Sequence, residues 1–383
     1  MPLDPDILNL IPEMTAWRQD FHAHPETAYQ EHRTSARIAE LLRSFGCEVT
    51  TGLAGTGVVG SLQGGPNSLM FRADMDALAM SEENPGCPYH SRHEGKMHGC
   101  GHDGHMAMLL GAAKILAGRE GDRPCLHFLF QPAEENEAGA RKLVEEGLFQ
   151  KFPVQAVFGL HNWPGLPAGE MAVRPGPMMA SCDLIEIELR GQGTHAAMPH
   201  LGQDVVLAAA HLVTALQAAV ARETDPLDSA VVSITRLHAG QTWNVMPASA
   251  LLQGTVRALK PETQDRLERR LREITDGLAA AFGISARFSY DRRYPPTINS
   301  EAESDLAHKA AQKVAGVPGV HANLPPSMGA EDFAFLLREK PGAYAWLGTG
   351  RAGAASLHHP SYDFNDAALA LGASWWVELA QPS

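Results

Sequence analysis

Between residues 97 and 105 the chain reads Met97-His98-Gly99-Cys100-Gly101-His102-Asp103-Gly104-His105, a thiol and three imidazoles interleaved with glycine. Sulfur and imidazole donors suit a borderline-soft ion such as zinc, and the glycines let near neighbours converge on one point. A second dense stretch is Phe128-Leu129-Phe130-Gln131-Pro132-Ala133-Glu134-Glu135. Adjacent side chains point in different directions, so one carboxylate can bind metal while its neighbour faces a water. Metal-assisted hydrolysis needs that division between ligand and proton carrier. The plainer readings are a glycine-rich turn with incidental histidines and a solvated acidic turn.

Three more stretches repeat the theme. The apolar run 157–160 leads into His161-Asn162-Trp163-Pro164, the run 345–348 leads through a glycine-rich loop to His358-His359-Pro360, and Phe71-Arg72-Ala73 ends in Asp74-Met75-Asp76. Any one of these suits an ordinary surface residue. Their recurrence at strand ends, where α/β sheets place their sites, favours chemistry.

The elements that must position these groups follow from periodicity. Ile7, Leu10, Ile11, Met14, Trp17 and Phe21 recur at helical spacing, and a second helix runs through Ile38, Leu41, Leu42 and Phe45 to a stop at Gly46. Apolar runs at 57–62, 68–73, 125–130, 155–160 and 343–348 read as short buried strands, with a small-residue helix over 106–116. Strands alternating with helices predict an α/β domain with a mostly parallel sheet and helices on both faces. The middle of the chain differs. A strand at 183–190, a helix at 204–222, strands at 230–237 and 248–257, a helix through Leu267, Leu271, Ile274, Leu278 and Phe282, and a strand at 285–290 give the order βαββαβ, a ferredoxin-like unit. Residues 1–180 and 292–383 are therefore expected to form the metal-binding catalytic domain, and 181–291 an inserted domain, with 174–177 and 292–296 as hinges.

Composition narrows the function classes. A chain of 383 residues exceeds what one core usually supports. A formal charge of −13 argues against a nucleic-acid partner, whose phosphates would be repelled. No apolar window reaches membrane-spanning length, so no membrane partner is expected. The acidic start Met1-Pro2-Leu3-Asp4-Pro5-Asp6 is unlike a signal peptide. Five scattered cysteines are odd in number and unlike a disulfide framework, which points to a reducing cytoplasm. Cys47, Cys125 and Cys182 read as core fillers, and His22, His24, His98, His105 and His211 as structural, although His105 shares the glycine-rich turn.

The stretches RADMDAL, MHGCGHDGH, FQPAEE, GLHNWP, GTHAAMPH, NVMPA, MGAEDF and LHHPSYDFND lie in order along nearly the whole chain. Together they resemble the zinc aminoacylase and carboxypeptidase superfamily, in the amidohydrolase branch of hippurate hydrolases, auxin-conjugate amidohydrolases and N-acyl amino acid amidohydrolases. The resemblance implies two divalent metal ions per subunit (Zn or Mn, with Co or Ni also suited) held by Cys100, His102, Glu135, His161 and His358, with Cys100 between the metals. It implies Glu134 as general base and then proton donor, and Asp76 as an acid that orients the ligands. Within LHHP the ligand position falls on His358 and a variable position on His359. The resemblance also makes the inserted domain a lid through which a homodimer forms. His195 of that lid, in Gly193-Thr194-His195-Ala196-Ala197, would reach the partner subunit's site as oxyanion donor. Asn244 and Arg257 are candidate substrate contacts, and 328–333 is expected to line the pocket. One departure is Ala79, where the family usually has proline after RADMDAL; it removes no chemical group.

The reaction so implied is cleavage of the amide of an N-acyl amino acid to a carboxylic acid and a free amino acid. A dipeptidase or carboxypeptidase, or an N-acyl-diaminopimelate deacetylase, would use the same metals with a different pocket. A metal-binding protein without turnover stands as the non-enzyme alternative, against which Glu134 argues, since a closed structural site has no use for a base.

Overall fold

The computed structural model describes residues 3–381. The chain divides into two compact units. The first contains the residues up to 178, 298–325 and those from 332 onward; the second contains 179–297 and 326–331.

In the first unit the apolar runs assemble into one eight-stranded sheet. Its order is Glu48–Leu53, Gly57–Leu62, Pro124–Gln131, Gly65–Asp74, Ala156–Pro167, Gly342–Gly350, Met171–Ala172 and Val320–His321. The four strands from Pro124–Gln131 to Gly342–Gly350 are mutually parallel, and antiparallel pairings flank them. Strands covered on both faces carry continuous rather than alternating apolar residues, as in the antiparallel Gly57–Leu62 and the parallel Gly342–Thr349, both wholly buried. Helices Pro5–Ala23, His102–Ala117 and Leu369–Leu379 share a core with the sheet, in which Phe71 packs on Phe128, Phe158 and Trp376. Truncating such a buried ring to alanine typically costs about 3–5 kcal/mol.

One strand departs from expectation. Ala156–Pro167 continues past His161 because the register with Gly342–Gly350 runs on through Trp346↔His161 and Gly348↔Trp163. His161 therefore sits inside a hydrogen-bonded ladder and not in a loop beyond it.

The second unit is a four-stranded antiparallel sheet in the order Ala230–Ala239, Ser249–Ala258, Cys182–Arg190 and Ser285–Tyr294. With helices Val205–Leu216 and Pro261–Ala281 it follows βαββαβ along the chain. Alternation in Ser249–Ala258 buries Ala250, Leu252, Val256 and Ala258 in a core shared with both helices. The single helix expected over 204–222 is broken at Gln217 into Val205–Leu216 and Ala218–Ala221. This unit also takes in 326–331, where the carbonyls of Ser327 and Gly329 accept the Ala180 N–H. Among the described residues no helix is long and apolar enough to cross a membrane.

Candidate metal centre

The glycine-rich turn delivers its donors through one unusual residue. Gly101 starts the helix His102–Ala117 with φ 87°, a left-handed conformation that favours glycine. A Cβ here would lie 2.5 Å from Asn162 Oδ1 and 2.8 Å from Tyr362 Oη. The turn is thus pressed against the strand that carries His161, and Cys100 Sγ comes to 3.5 Å from His161 Nε2. Donor atoms of Cys100, His102 and His161 fall within 4.8 Å of one another, as do those of Cys100, Glu135 and His358, and those of His102, Glu134 and Glu135. Four chain segments converge here, all in the first unit.

The imidazoles are aimed by their second nitrogens. His102 Nδ1–H donates to the Asp76 carbonyl at 2.8 Å and His161 Nδ1–H to the Asn162 carbonyl at 2.7 Å. A carbonyl can only accept, so each neutral ring keeps its proton on Nδ1 and presents a lone pair at Nε2. His102 Nε2 and Glu135 Oε1 are buried without a hydrogen-bond partner. Orphaned buried donors of this kind in an S, N and O set fit a divalent ion. His358, with φ 62°, places Nε2 3.2 Å from Glu135 Oε1, whereas His359 Nδ1 accepts the Ser361 N–H at 3.0 Å. Of the two histidines it is His358 that faces the other donors.

Glu134 and Glu135 ride on a turn whose Ala133, Asn136 and Ala138 are all left-handed without being glycine. Such backbone persists only where surrounding groups over-determine it. Asp76 supplies part of that constraint: Oδ1 accepts the Glu134 N–H and Oδ2 the Glu135 N–H, each at 3.0 Å. Behind the donors lies a buried chain that sequence reasoning left without a role. His105 stands between Asp74 Oδ1 and Asn162 Oδ1, 2.6 Å from each, and Asn162 Nδ2 donates to Tyr362 Oη at 2.6 Å. With both nitrogens engaged, His105 supports the centre from behind. Asp332, in the stretch expected to line the pocket, accepts from Arg72, Gln131 and the Ala140 N–H, and has a carboxylate oxygen within 4.8 Å of one of Glu134.

Electrostatically the cluster is short of positive charge. Burial pushes the Cys100 thiol well above its usual range, and Glu135, Glu134 and Asp74 push it further. Burial alone would lower His102, but Asp74 and Asp76 outweigh it and raise the ring to about 10. His161 is held well below its ordinary value, mainly by burial, and so stays neutral. A dication would reverse the balance at Cys100 and His102.

His195, Asn244 and Arg257 belong to the second unit. His195 is exposed on Thr194–His195, paired with Val245, and its Nδ1 accepts the Ala197 N–H at 3.0 Å. Because a backbone N–H can only donate, the neutral ring carries its proton on Nε2, as a donor to a substrate oxygen requires. Asn244 Oδ1 accepts from the Thr242 hydroxyl, and its carbonyl accepts the Ala196 N–H. Arg257 lies opposite Val231, on the sheet face away from the two helices.

The family model described as Peptidase family M20/M25/M40 matches residues 70–381. The chain is 40% identical to a hippurate hydrolase of Campylobacter jejuni, over 99% of this chain and 99% of that one. It is 38% identical to an N-acetylcysteine deacetylase of Bacillus subtilis, over 95% and 94%. The crystal structure of the Bacillus subtilis YXEP protein, a dinuclear metal binding peptidase from the M20 family, superposes with a TM-score of 0.85 at 34% identity, covering 97% of this chain and 98% of that one.

Proposed function

This chain belongs to peptidase family M20/M25/M40, and from that premise we propose that it is a metal-dependent amidohydrolase that cleaves the amide of N-acyl amino acids. The observation that carries the reading is the convergence of Cys100, His102, Glu135, His161 and His358 with Glu134 among them. Relatives named for hippurate and N-acetylcysteine support an acyl amino acid as substrate. The dinuclear metal binding YXEP protein supports two ions; the donor set suits divalent zinc or manganese first, with cobalt or nickel also acceptable.

When bound, such ions polarise the amide carbonyl and lower the pKa of a water. Cys100, His102, Glu135, His161 and His358 hold them, with Asp76 and the Asn162 carbonyl orienting the ligands. Glu134, free of a ligand's duty, takes the proton of the attacking water and passes it to the leaving nitrogen. His195 donates Nε2–H to the developing oxyanion, and Asn244 and Arg257 contact the substrate. The inserted unit serves as lid and dimer interface, and His195 acts on the partner subunit's substrate. Exposed apolar residues beside that histidine, Leu201 at 54%, Trp243 at 92% and Val245 at 51%, support coverage of this face by a second copy. Free cysteines throughout, Cys100 among them, suit the reducing cytoplasm.

The test is hydrolysis of acetyl, benzoyl and indoleacetyl amino acids after loading with zinc or manganese, beside Glu134→Ala. Turnover that falls about 100-fold or more in the variant while both metals stay bound is the expected result. Two bound metals with no turnover on any of these amides would sink the acyl amino acid assignment and redirect the search to dipeptides.

A further inference from the structure

The turn that carries the general base is held by a second buried carboxylate. Three successive backbone amides end on carboxylate oxygens: Ala133 N–H on Glu31 Oε1 at 2.9 Å, Glu134 N–H on Asp76 Oδ1 and Glu135 N–H on Asp76 Oδ2. Glu31 is fully buried, and its other oxygen accepts the Thr56 hydroxyl at 2.7 Å. Ala133 itself is buried and left-handed, with its carbonyl taken by the Gly139 N–H. Glu31 thus grips the residue at which the chain turns from the strand Pro124–Gln131 into the two functional glutamates.

A merely local role for Glu31 is at odds with its contacts. It occupies the N-terminal cap position of helix His32–Ser44, yet its side chain makes no capping bond. Glu26 does that work, accepting the N–H groups of Arg33 and Thr34. Nor does fold stability explain a wholly buried carboxylate, which costs more to desolvate than an apolar group of its size. From these contacts we infer that Glu31, on a segment outside the family-matched residues 70–381, is a positioning residue for Glu134 and Glu135. The inference rests on the reading of Glu134 as general base.

Glu31→Ala, Glu31→Gln and Glu134→Ala are compared with the wild-type chain after zinc loading. The readouts are kcat and KM on the acyl amino acid that the wild-type chain turns over, zinc content, thermal midpoint and amide exchange of the peptide spanning 131–136. Glu31→Ala is expected to lower kcat about 10–100-fold with KM little changed and zinc retained. Exchange across the turn should quicken about tenfold. Glu31→Gln keeps an oxygen that accepts the Ala133 N–H, and should restore protection and most of kcat. Wild-type kcat and exchange in Glu31→Ala, equal impairment in Glu31→Gln, or a loss that merely tracks missing zinc would each overturn the inference. Should Glu31→Ala fail to fold, Thr56→Val, which frees the far oxygen of Glu31, is expected to show the same effects in smaller measure, and normal exchange and kcat there would count against it. Full turnover in Glu134→Ala would remove the base assignment, whereas the exchange measurement still decides whether Glu31 holds the turn.

Discussion

Asp76 accepts the backbone N–H of Glu134 at 3.0 Å while its own carbonyl accepts Nδ1–H of His102 at 2.8 Å. One residue thereby fixes the candidate base relative to a candidate ligand, without itself facing a metal. Replacing it should therefore affect both. Asp76→Ala is expected to weaken zinc binding and lower kcat/KM by about 10–100-fold. Metal titration and steady-state kinetics on the same preparation check this; unchanged values for both would remove Asp76 from the site.

Metal uptake should release protons. In the metal-free centre Cys100 is held well above its ordinary thiol range and His102 near 10, so both are protonated at pH 8. Ligation requires both to be deprotonated. Calorimetric zinc titrations in buffers of different ionisation enthalpy should report about two protons released per chain at that pH, one from each residue. A release close to zero would mean that one or both are not ligands.

The Gly101 turn predicts a stability defect coupled to a metal defect. Gly101→Ala places a Cβ against Asn162 and Tyr362 in a left-handed backbone, and the conformation alone costs about 1–2 kcal/mol. Urea denaturation should show at least that loss, and metal content should fall with it. A variant of wild-type stability and full metal content would show that the turn relaxes freely.

These donors were legible in the sequence because metal chemistry restricts residue types: Cys100, His102, Glu135, His161 and His358 each stand in a stretch with few other readings. The parallel sheet was legible too, since doubly buried strands leave continuous apolar runs. What could not be read locally was long-range. Glu31 bonds Ala133 across 102 residues, and nothing in its neighbourhood distinguishes a buried acid from a surface one. His161 was expected beyond a strand end because the apolar run stops at Leu160, but pairing with Gly342–Gly350 carries the strand through it. Residues 326–331 join the inserted unit through carbonyls bonded to Ala180, and no periodicity marks such a contact.

Stability should fall on the alkaline side. His22 is buried; burial lowers its pKa, but hydrogen bonds to Asp103 and Glu82 outweigh this and raise it from 6.5 to about 9. A raised pKa contributes stability that is fully present below the unfolded value and lost as pH climbs through the folded one. Denaturant midpoints should therefore decline between about pH 6.5 and pH 9, and His22→Gln should flatten that decline. A variant with the wild-type slope would assign the effect elsewhere.

The proposed action of His195 on the partner subunit's substrate predicts complementation. Glu134→Ala and His195→Ala are each expected to be nearly inactive, yet mixed dimers contain one site with both residues intact. Co-refolding the two should regain activity that neither shows alone. Mixed dimers that stay inactive, with exchange of subunits demonstrated, would place His195 in its own subunit's site.

The strand Gly342–Gly350 lies inside the sheet, between Ala156–Pro167 and Met171–Ala172, although it is made long after both. A nascent chain on the ribosome thus exposes Cys100, His102, Glu135 and His161 well before their neighbouring strand exists. His358 follows that strand later still. The full donor set is therefore acquired only once residue 358 has been made, and a chain truncated between the strand and that residue would have a filled sheet and an incomplete site.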